Sequence, residues 1–522
     1  MSTVDVLAAP IQAPQINYGA IAPMLIVLGV GAVGILAEAA LPRLYRYPVQ
    51  LVLTLAAELA ALVVVIVEGV RHYAASPTLT ADDALAVDGP SLFLQGSILV
   101  LGILGTLLIA DRRVERGGAF VAEAAVVAGT EADAQQARHR PSQTEVFPLA
   151  LFALGGMMLF CSANDLLTMF VALEVLSLPL YLACGLARRR RLLSQEAAVK
   201  YFLLGAFASA FFVYGMAMLY GFAGTVELHG IAQATLSSDK SDLLMFVGLA
   251  MLAIGLLFKA AAVPFHVWTP DVYQGAPTPI TAFMASCTKV AAFGGILRVL
   301  YVAFLDSRWD WRPVLGVIAV ATMVIGAVLA VTQTDIKRLL AYSSIANAGY
   351  VLTGVLAMRQ SGITSALFYL VAYGFTVVAA FGLLTLVRDA DGEATHLSRW
   401  AGLGRKSPVL AGVFTFLLLS FAGIPLTSGF TTKFAVFGAA LDGGQTTLVI
   451  FGVISSVLLA FPYLRVVVLM YLQEPAEDAP TVAMPGAMTA TALAIGTVAT
   501  LVFGLAPSLV LHVAQGAATF VG

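Results

Sequence analysis

The stretch GLLFKAAAVPFHVWTPDVYQGAPTP, Gly255 to Pro279, places Lys259 at the end of an apolar run that begins near Leu243. Pro264 follows, then His266 and Asp271. Three further ionisable side chains lie inside apolar runs. Glu174 is nine residues past Asp165, Lys289 ten past Pro279 and Lys433 eight past Pro425. At 1.5 Å per helical residue those depths are roughly 13, 15 and 12 Å. An ionisable group so deep in a membrane costs about 2.5–3.5 kcal/mol on insertion scales, so it faces partners or water. Lysine suits proton transfer. Its ordinary pKa of about 10.4 keeps it charged in water. In general, desolvation lowers that value and a neighbouring carboxylate raises it. A Lys–Glu pair whose separation changes therefore loads and releases a proton near neutral pH. The bland alternative is a set of interhelical ion pairs that serve assembly. One pair would suffice for that, and here three lysines accompany one glutamate.

Other residues could support such chemistry. His266, just past Pro264, has the side chain that titrates nearest neutrality and is a candidate relay, although a lone histidine is also a common structural residue. Glu196 and Lys200 stand four apart at the mouth of an apolar run. They read equally as a proton entry or as an interfacial helix pair. Glu58 lies in the middle of LTLAAELAALVVV and has no functional account from sequence. GVGAVG, residues 29–34, spells a dinucleotide fingerprint but sits within a continuous apolar run, so small residues for close helix packing explain it better. Cys161, Cys184 and Cys287 are far apart and have no metal-site spacing; they read as buried structural residues.

The elements that must hold these groups are membrane helices. Of 522 residues, 60% are hydrophobic and 11% charged, with mean hydropathy +0.92. A soluble domain carries about 25% charged residues. The net charge of -2 argues against a nucleic-acid partner. The first eighteen residues hold no Lys or Arg, which argues against a secretory signal or transit peptide. The pattern predicts an all-α polytopic protein with about fourteen spans, near 19–41, 50–69, 90–111, 146–162, 164–186, 199–222, 243–262, 278–304, 313–332, 338–358, 361–387, 409–440, 446–472 and 485–514. The polar stretch 112–145 reads as a solvated loop. If the amino terminus is outside, eighteen Lys and Arg fall in cytoplasmic loops and five in outer ones. That bias puts both termini on the non-cytoplasmic side. Arg298 and Arg465 lie near span ends and are expected to snorkel.

A repeat is visible. AVKYFLLGAF (198–207) resembles ALFYLVAYGF (366–375), and AAAVPF (260–265) resembles SFAGIPL (420–426). Five spans per copy, 4–8 and 9–13, force the second copy to enter the membrane from the opposite side. Inverted repeats, each with a broken helix, are a transporter architecture with its site at mid-membrane. The expected organisation is 1–145 (spans 1–3 and a loop), 146–304 and 313–472 (the two repeats) and 473–522 (the last span). A helix break at such depth admits water or protein contacts to the freed backbone.

FKAAAVPFHVWTPDVYQGAPTPITAF (258–283), TQTDIKRLLAYSSIANAGYVL (332–352) and LLLSFAGIPLTSGFTTKFAVF (417–437) carry a family resemblance, as do FVALEVLSLPLY (170–181) and QEAAVKYFLLGAFAS (195–209). The chain resembles the antiporter-like membrane subunits of bacterial respiratory complex I, NADH–quinone oxidoreductase, and among them subunit N. TPDVYQGAP favours N over its relatives L and M; the absence of a long lateral helix after span 14 argues against L, and a lysine at 433 argues against M, which typically has glutamate there. The resemblance implies that Glu174 pairs with Lys259, that Lys289 connects, and that Lys433 is the terminal lysine of a broken span. It places His266, Lys337 and Tyr342 along the polar axis or at its entrance. It implies no cofactor in this chain, with NADH, FMN, iron–sulfur clusters and quinone handled by other subunits. The implied partners are subunits L and M, the small subunits J and K, A and H further along the arm, and lipid, in the bacterial plasma membrane. The 112–145 loop is longer and more charged than the family pattern. Two alternatives share the fold: a subunit of a multi-subunit cation/proton antiporter, and a membrane arm of a hydrogenase-type complex. A spacer with vestigial charges is a third.

Overall fold

The computed structural model describes residues 16–74, 77–115, 117–121, 130–131, 143–237, 242–390 and 392–521. Arg116, Arg138, Arg140 and Lys240, counted above for orientation, lie outside them. Among the described residues, eleven helices are long and apolar enough to cross a membrane. The apolar helices Val146–Ser162 and Pro408–Ala422 are shorter. Ile336–Val355 spans 20 residues, but its sequence is more polar (IKRLLAYSSIANAGY).

Helix starts follow local chemistry. Asp88, Asp165 and Asp335 cap the helices that follow them, each accepting backbone N–H groups of the first turn. Gly224, at φ +77°, ends Arg191–Ala223. The helices Arg43–Ala74 and Arg191–Ala223 begin several residues before the apolar runs that predict them. Their first turns carry charged and polar residues, whose polarity masks a helix in sequence. The last span is interrupted, Ala487–Leu505 being followed by Ser508–Gly516 after Pro507.

Two helices form the axis. Thr278–Ala303 and Gln360–Leu384 are both wholly enclosed by other helices, and the first turns of Thr278–Ala303 pack on Gln360–Leu384. Both ends of the molecule carry short strands that an apolar scan does not reveal. Thr78–Thr80 pairs antiparallel with Leu85–Val87. Val387–Asp389 pairs on one side with Gly392–Glu393 and on the other with Thr481–Val482. The 387–393 hairpin is thereby tied to the connection before the last span.

Several expectations need correcting. Arg298 does not snorkel. It is fully buried, donates to both carboxylate oxygens of Asp88 at 2.8 and 2.9 Å, and donates to the Cys161 carbonyl at 3.1 Å. The Val521 N–H closes the same carboxylate at 3.0 Å. Breaking a buried pair of this kind costs about 3–5 kcal/mol. Its partner was invisible because Asp88 reads only as a helix cap. The start of the 112–145 loop is not simply solvated. Phe120 and Val121 are buried, Val121 N–H bonds the Leu186 carbonyl, and Glu115 pairs with Arg189 and Arg388. GVGAVG lies within Tyr18–Ala40, where a side chain at Gly34 would meet Gln50 and Pro148 at 3.0 and 3.2 Å. All three cysteines are buried and free.

Candidate functional site

The helix Asp242–Ala260 stops one residue past Lys259. Ala261 turns the chain at φ +62°. The carbonyls released by the break are taken up locally: Leu257 O accepts from Ala262 N–H at 2.9 Å, and Phe258 O from Trp268 Nε1 at 3.0 Å. Val263 N–H finds Thr322 Oγ1 at 3.0 Å. Lys259 itself is buried. Its Nζ donates to Ser177 Oγ at 2.7 Å and Tyr201 OH at 3.2 Å, and lies 5.7 and 5.2 Å from the Tyr181 and Tyr201 ring centres. Trp268 stacks on Tyr201 at 4.6 Å, which fixes the ring.

Glu174 and Lys259 do not touch directly. Glu174 Oε1 accepts from Ser209 Oγ at 2.5 Å. Ser177, one helical turn further along Leu166–Cys184, accepts from Lys259 and itself donates to the Leu173 carbonyl. The pair suggested by resemblance is therefore not in direct contact, and each charge rests on a different serine.

The second break lies between Pro408–Ala422 and Ser428–Asp442. Here the lysine follows the gap and reaches back. Lys433 Nζ donates to Phe421 O at 2.9 Å, Ala422 O at 3.2 Å and Ser456 Oγ at 2.8 Å, and lies 5.0 Å from the Tyr350 ring centre. Gly423 turns the chain at φ +83°, and a side chain there would come within 3.1–3.2 Å of the lysine. Glycine is thus required twice over, for its φ and for the room it leaves.

Lys289 occupies the buried axis between the two. A π turn, Met284–Thr288, immediately precedes it. Such turns are frequent at functional sites, and nothing in the sequence pattern signals one. Lys289 Nζ donates to the carbonyl of Ser344 and to Ser344 Oγ, the latter at 2.7 Å, 5.7 Å from the Tyr373 ring centre. Onward toward Lys433 runs a buried polar series. Tyr463 OH donates to Ser343, Asn347 Nδ2 donates to Ser343 O at 2.8 Å, and Tyr369 OH donates to Asn347 Oδ1 at 2.5 Å. A small cavity lined by Asn347, Tyr373, Thr376, Ser420, Ser428 and Lys433 continues it.

At the end where the loops are basic, Lys200 bridges Glu196 and Asp271, both at 2.7 Å, and Asp271 binds Arg338 at 2.6 Å. Burial would raise the Asp271 carboxyl, but its bonds to Lys200 and Arg338 hold it below the usual carboxylate value. Lys337 is buried and pairs with Glu393 at 2.9 Å. Burial likewise opposes ionisation of Glu393, and the Lys337 charge together with a bond from Thr278 holds its carboxyl low. Asp271, Arg338 and Glu393 went unremarked in the sequence as site residues; their only signal is proximity to proline-marked breaks and basic loops. Tyr342 is half-buried one turn beyond Arg338. His266 is half-buried, with its Nδ1 enclosed and without a partner, and it is not bonded to Lys259. Glu58 is fully buried, accepting from Thr106 at 2.7 Å. Among the described residues no group of three or more His, Cys, Asp or Glu could hold a metal ion.

Broken helices, buried lysines and an enclosed polar axis define a class: ion-translocating membrane subunits. Residues 163–459 match the family model for the membrane region of NADH:quinone oxidoreductase and Mrp antiporter subunits. The chain is 64% identical to NADH-quinone oxidoreductase subunit N of Salinispora arenicola, over 97% of this chain and 99% of that one. It superposes on a chain of respiratory complex I from Thermus thermophilus with TM-score 0.75 at 32% identity, over 94% and 98% of the two. A chain of the Mrp complex from Dietzia sp. shares the fold, with TM-score 0.80 at 23% identity over 96% and 97%. The chain belongs to the subunit N family of NADH–quinone oxidoreductase. It is an antiporter-like membrane subunit of that proton-translocating enzyme.

Proposed function

We propose that this subunit carries a proton across the bacterial plasma membrane by way of Glu174, Lys259, Lys289 and Lys433, with His266, Glu196, Lys200, Lys337 and Tyr342 in support. Three buried lysines held on neutral oxygens carry the reading: each rests on hydroxyls, carbonyls or both that can release it as its charge changes. Arginine in the same places would be permanently charged. NADH oxidation and quinone reduction take place in other subunits, and their conformational consequences reach this chain through its neighbours. Subunits L and M, the small J and K, and A and H further along the arm are the partners, with lipid filling the rest.

The chain crosses the membrane fourteen times with both termini on the non-cytoplasmic side. The units 146–304 and 313–472 are inverted copies, each with one broken helix and one enclosed helix. A single cysteine at Arg189 is then labelled only from the cytoplasm and one appended after Gly522 only from outside. Labelling of both from one side removes the inverted repeat. The reading itself is tested with Lys289→Met, which keeps most of the volume and deletes the titratable group. In assembled complexes, NADH–quinone turnover and pumping should fall together by at least about tenfold. Normal pumping with normal assembly overturns it.

A further inference from the structure

A crevice at the basic-loop end of the molecule is lined by Glu115, Arg189, Arg190, Lys337, Arg388 and Glu393. Its volume of about 50 Å³ holds roughly three to five waters at 10–15 Å³ each. Of the ion pairs lining the crevice, Lys337–Glu393 is the one that contains a lysine. We propose that Glu393 is the proton-admitting carboxylate of this subunit, taking a proton from crevice water and passing it through Lys337 toward Ser344 and Lys289. This rests on the proton-transfer reading above and extends it to the entrance.

The composition of the pairs at this face separates clamps from relays. Glu115 holds Arg189 and Arg388, Asp389 holds Arg399, and Asp271 holds Arg338. Arginine does not release a proton in a protein, so those contacts fasten the chain; Asp271 alone among these carboxylates also binds a lysine, Lys200. Lys337–Glu393 can exchange one at both members. The other lysine here, Lys200, has a side chain 41% exposed, whereas that of Lys337 is 5% exposed. Lys337 is held loosely on its other side, by the Ala276 carbonyl at 3.4 Å.

The position of the pair is equally specific. Glu393 accepts from Thr278, the first residue of the enclosed helix that bears Lys289. Lys337 is in the first turn of the helix that bears Ser344, the acceptor of Lys289. Residues 337 and 344 are seven apart, so they share a face about 10 Å apart along the axis. Tyr273 stands beside Ser344 within hydrogen-bonding reach. The pair thus touches the starting points of both helices that converge on Lys289.

The proton balance closes. A proton from crevice water binds a Glu393 oxygen and breaks the bond to Lys337. The Lys337 ammonium then gives a proton to water along the 337–344 face. The neutral amine recovers a proton from the Glu393 carboxylic acid, and the ion pair re-forms. One proton has moved inward and no charge remains behind.

The test uses the whole complex with Glu393→Gln, Glu393→Asp and Glu393→His, beside Lys289→Met and Lys433→Met. Glu393→Gln should lower turnover and pumping at least about tenfold with assembly unchanged, and Glu393→Asp should keep most of both. In Glu393→His the groups facing the imidazole are Lys337 from the helix Ile336–Val355, Arg190 from the turn before Arg191–Ala223, Arg388 from the strand Val387–Asp389 and Glu115. A protonated imidazole among them repels Lys337, so the acid limb of the turnover–pH profile should move upward, toward the ordinary histidine pKa of about 6.5. Full turnover in Glu393→Gln overturns the proposal. So does a loss in Gln and Asp alike with an unmoved acid limb in His, the signature of a structural clamp. If Lys289→Met and Lys433→Met both keep full turnover, the proton-transfer reading itself fails. If they lose it while Glu393→Gln does not, only the entrance has been refuted.

Discussion

The two helix breaks use the same ingredients in opposite order. At the first, Lys259 precedes the gap, and the released carbonyls are sealed by Ala262 and Trp268, so the lysine turns to the side chains of Ser177 and Tyr201. At the second, Lys433 follows the gap and itself takes the released carbonyls of Phe421 and Ala422. Carbonyls at a helix C-terminus carry the negative end of its dipole, which favours a cation. Lys433 is therefore held by fixed backbone charge. Lys259 is held by side-chain hydroxyls, with the Glu174 carboxylate one turn before Ser177. On the proposed reading, the first site is switched by Glu174, and the second holds charge until something displaces it.

Removing either lysine gives the largest effect. Lys259→Met and Lys433→Met should each reduce turnover and pumping at least about tenfold in assembled complexes, because two successive stations fail alike. Loss in one and none in the other would break the comparison by making one gap a structural kink.

Next in size is the carboxylate, which should matter at one break only. Glu174→Gln keeps shape but deletes charge; Glu174→Asp keeps charge on a shorter arm. A coupling change of one pKa unit is about 1.4 kcal/mol, about tenfold in site occupancy. Gln should therefore be the slower variant and Asp the better one. In a Lys259→Met background Glu174→Gln should add nothing further, because the two act as one unit. In a Lys433→Met background it should add its full effect. Equal turnover of Glu174→Gln and the parent sinks the switch.

How much of this was legible beforehand follows from what sequence encodes. The depth of Lys259, Lys289 and Lys433 and the proline-marked gaps could be read from apolar runs, because insertion cost leaves few ways to keep a charge there. Helices occupy every predicted segment for the same reason. The acceptors could not be read. Ser177, Ser344 and Ser456 are ordinary residues in helices, and only packing turns their hydroxyls toward a lysine. The Asp88–Arg298 pair joins residues 210 apart and was hidden by a cap motif at one end and a span end at the other. The π turn before Lys289 is a one-residue change of hydrogen-bond register with no compositional mark.

The backbone at the two breaks offers a smaller test. Gly423 and Ala261 both sit at positive φ, +83° and +62°. A left-handed non-glycine residue costs roughly 1–2 kcal/mol. Gly423→Ala adds that strain and a methyl 3.1 Å from Lys433, so thermal stability should fall and turnover with it. Ala261→Gly removes strain from a gap whose carbonyls are already sealed, so turnover should hold and stability should not drop. Opposite outcomes would mean that the first gap, not the second, is tuned around its lysine.

The smallest expected effect divides the hydroxyls. Ser456→Ala takes one of three acceptors from Lys433 and leaves two backbone carbonyls in place. A net hydrogen bond is worth about 0.5–1.5 kcal/mol, and with two others retained the loss should sit at the low end, roughly twofold in turnover. Ser177→Ala takes the nearer of two acceptors from Lys259 and leaves Tyr201 at 3.2 Å. With only that longer bond left, its cost should approach the upper end, roughly tenfold. The ordering, more than either size, follows from geometry: side-chain acceptors can be deleted one at a time, whereas backbone carbonyls cannot. A double variant should show the two losses adding, since the sites lie at separate helix breaks and share no acceptor. The measurement is turnover and pumping in assembled complexes, with Tyr201→Phe as a control that removes only the longer bond. Ser456→Ala costing as much as Ser177→Ala would mean that the carbonyls at the second gap do not carry Lys433, and the contrast between fixed and switchable charge would fall with them.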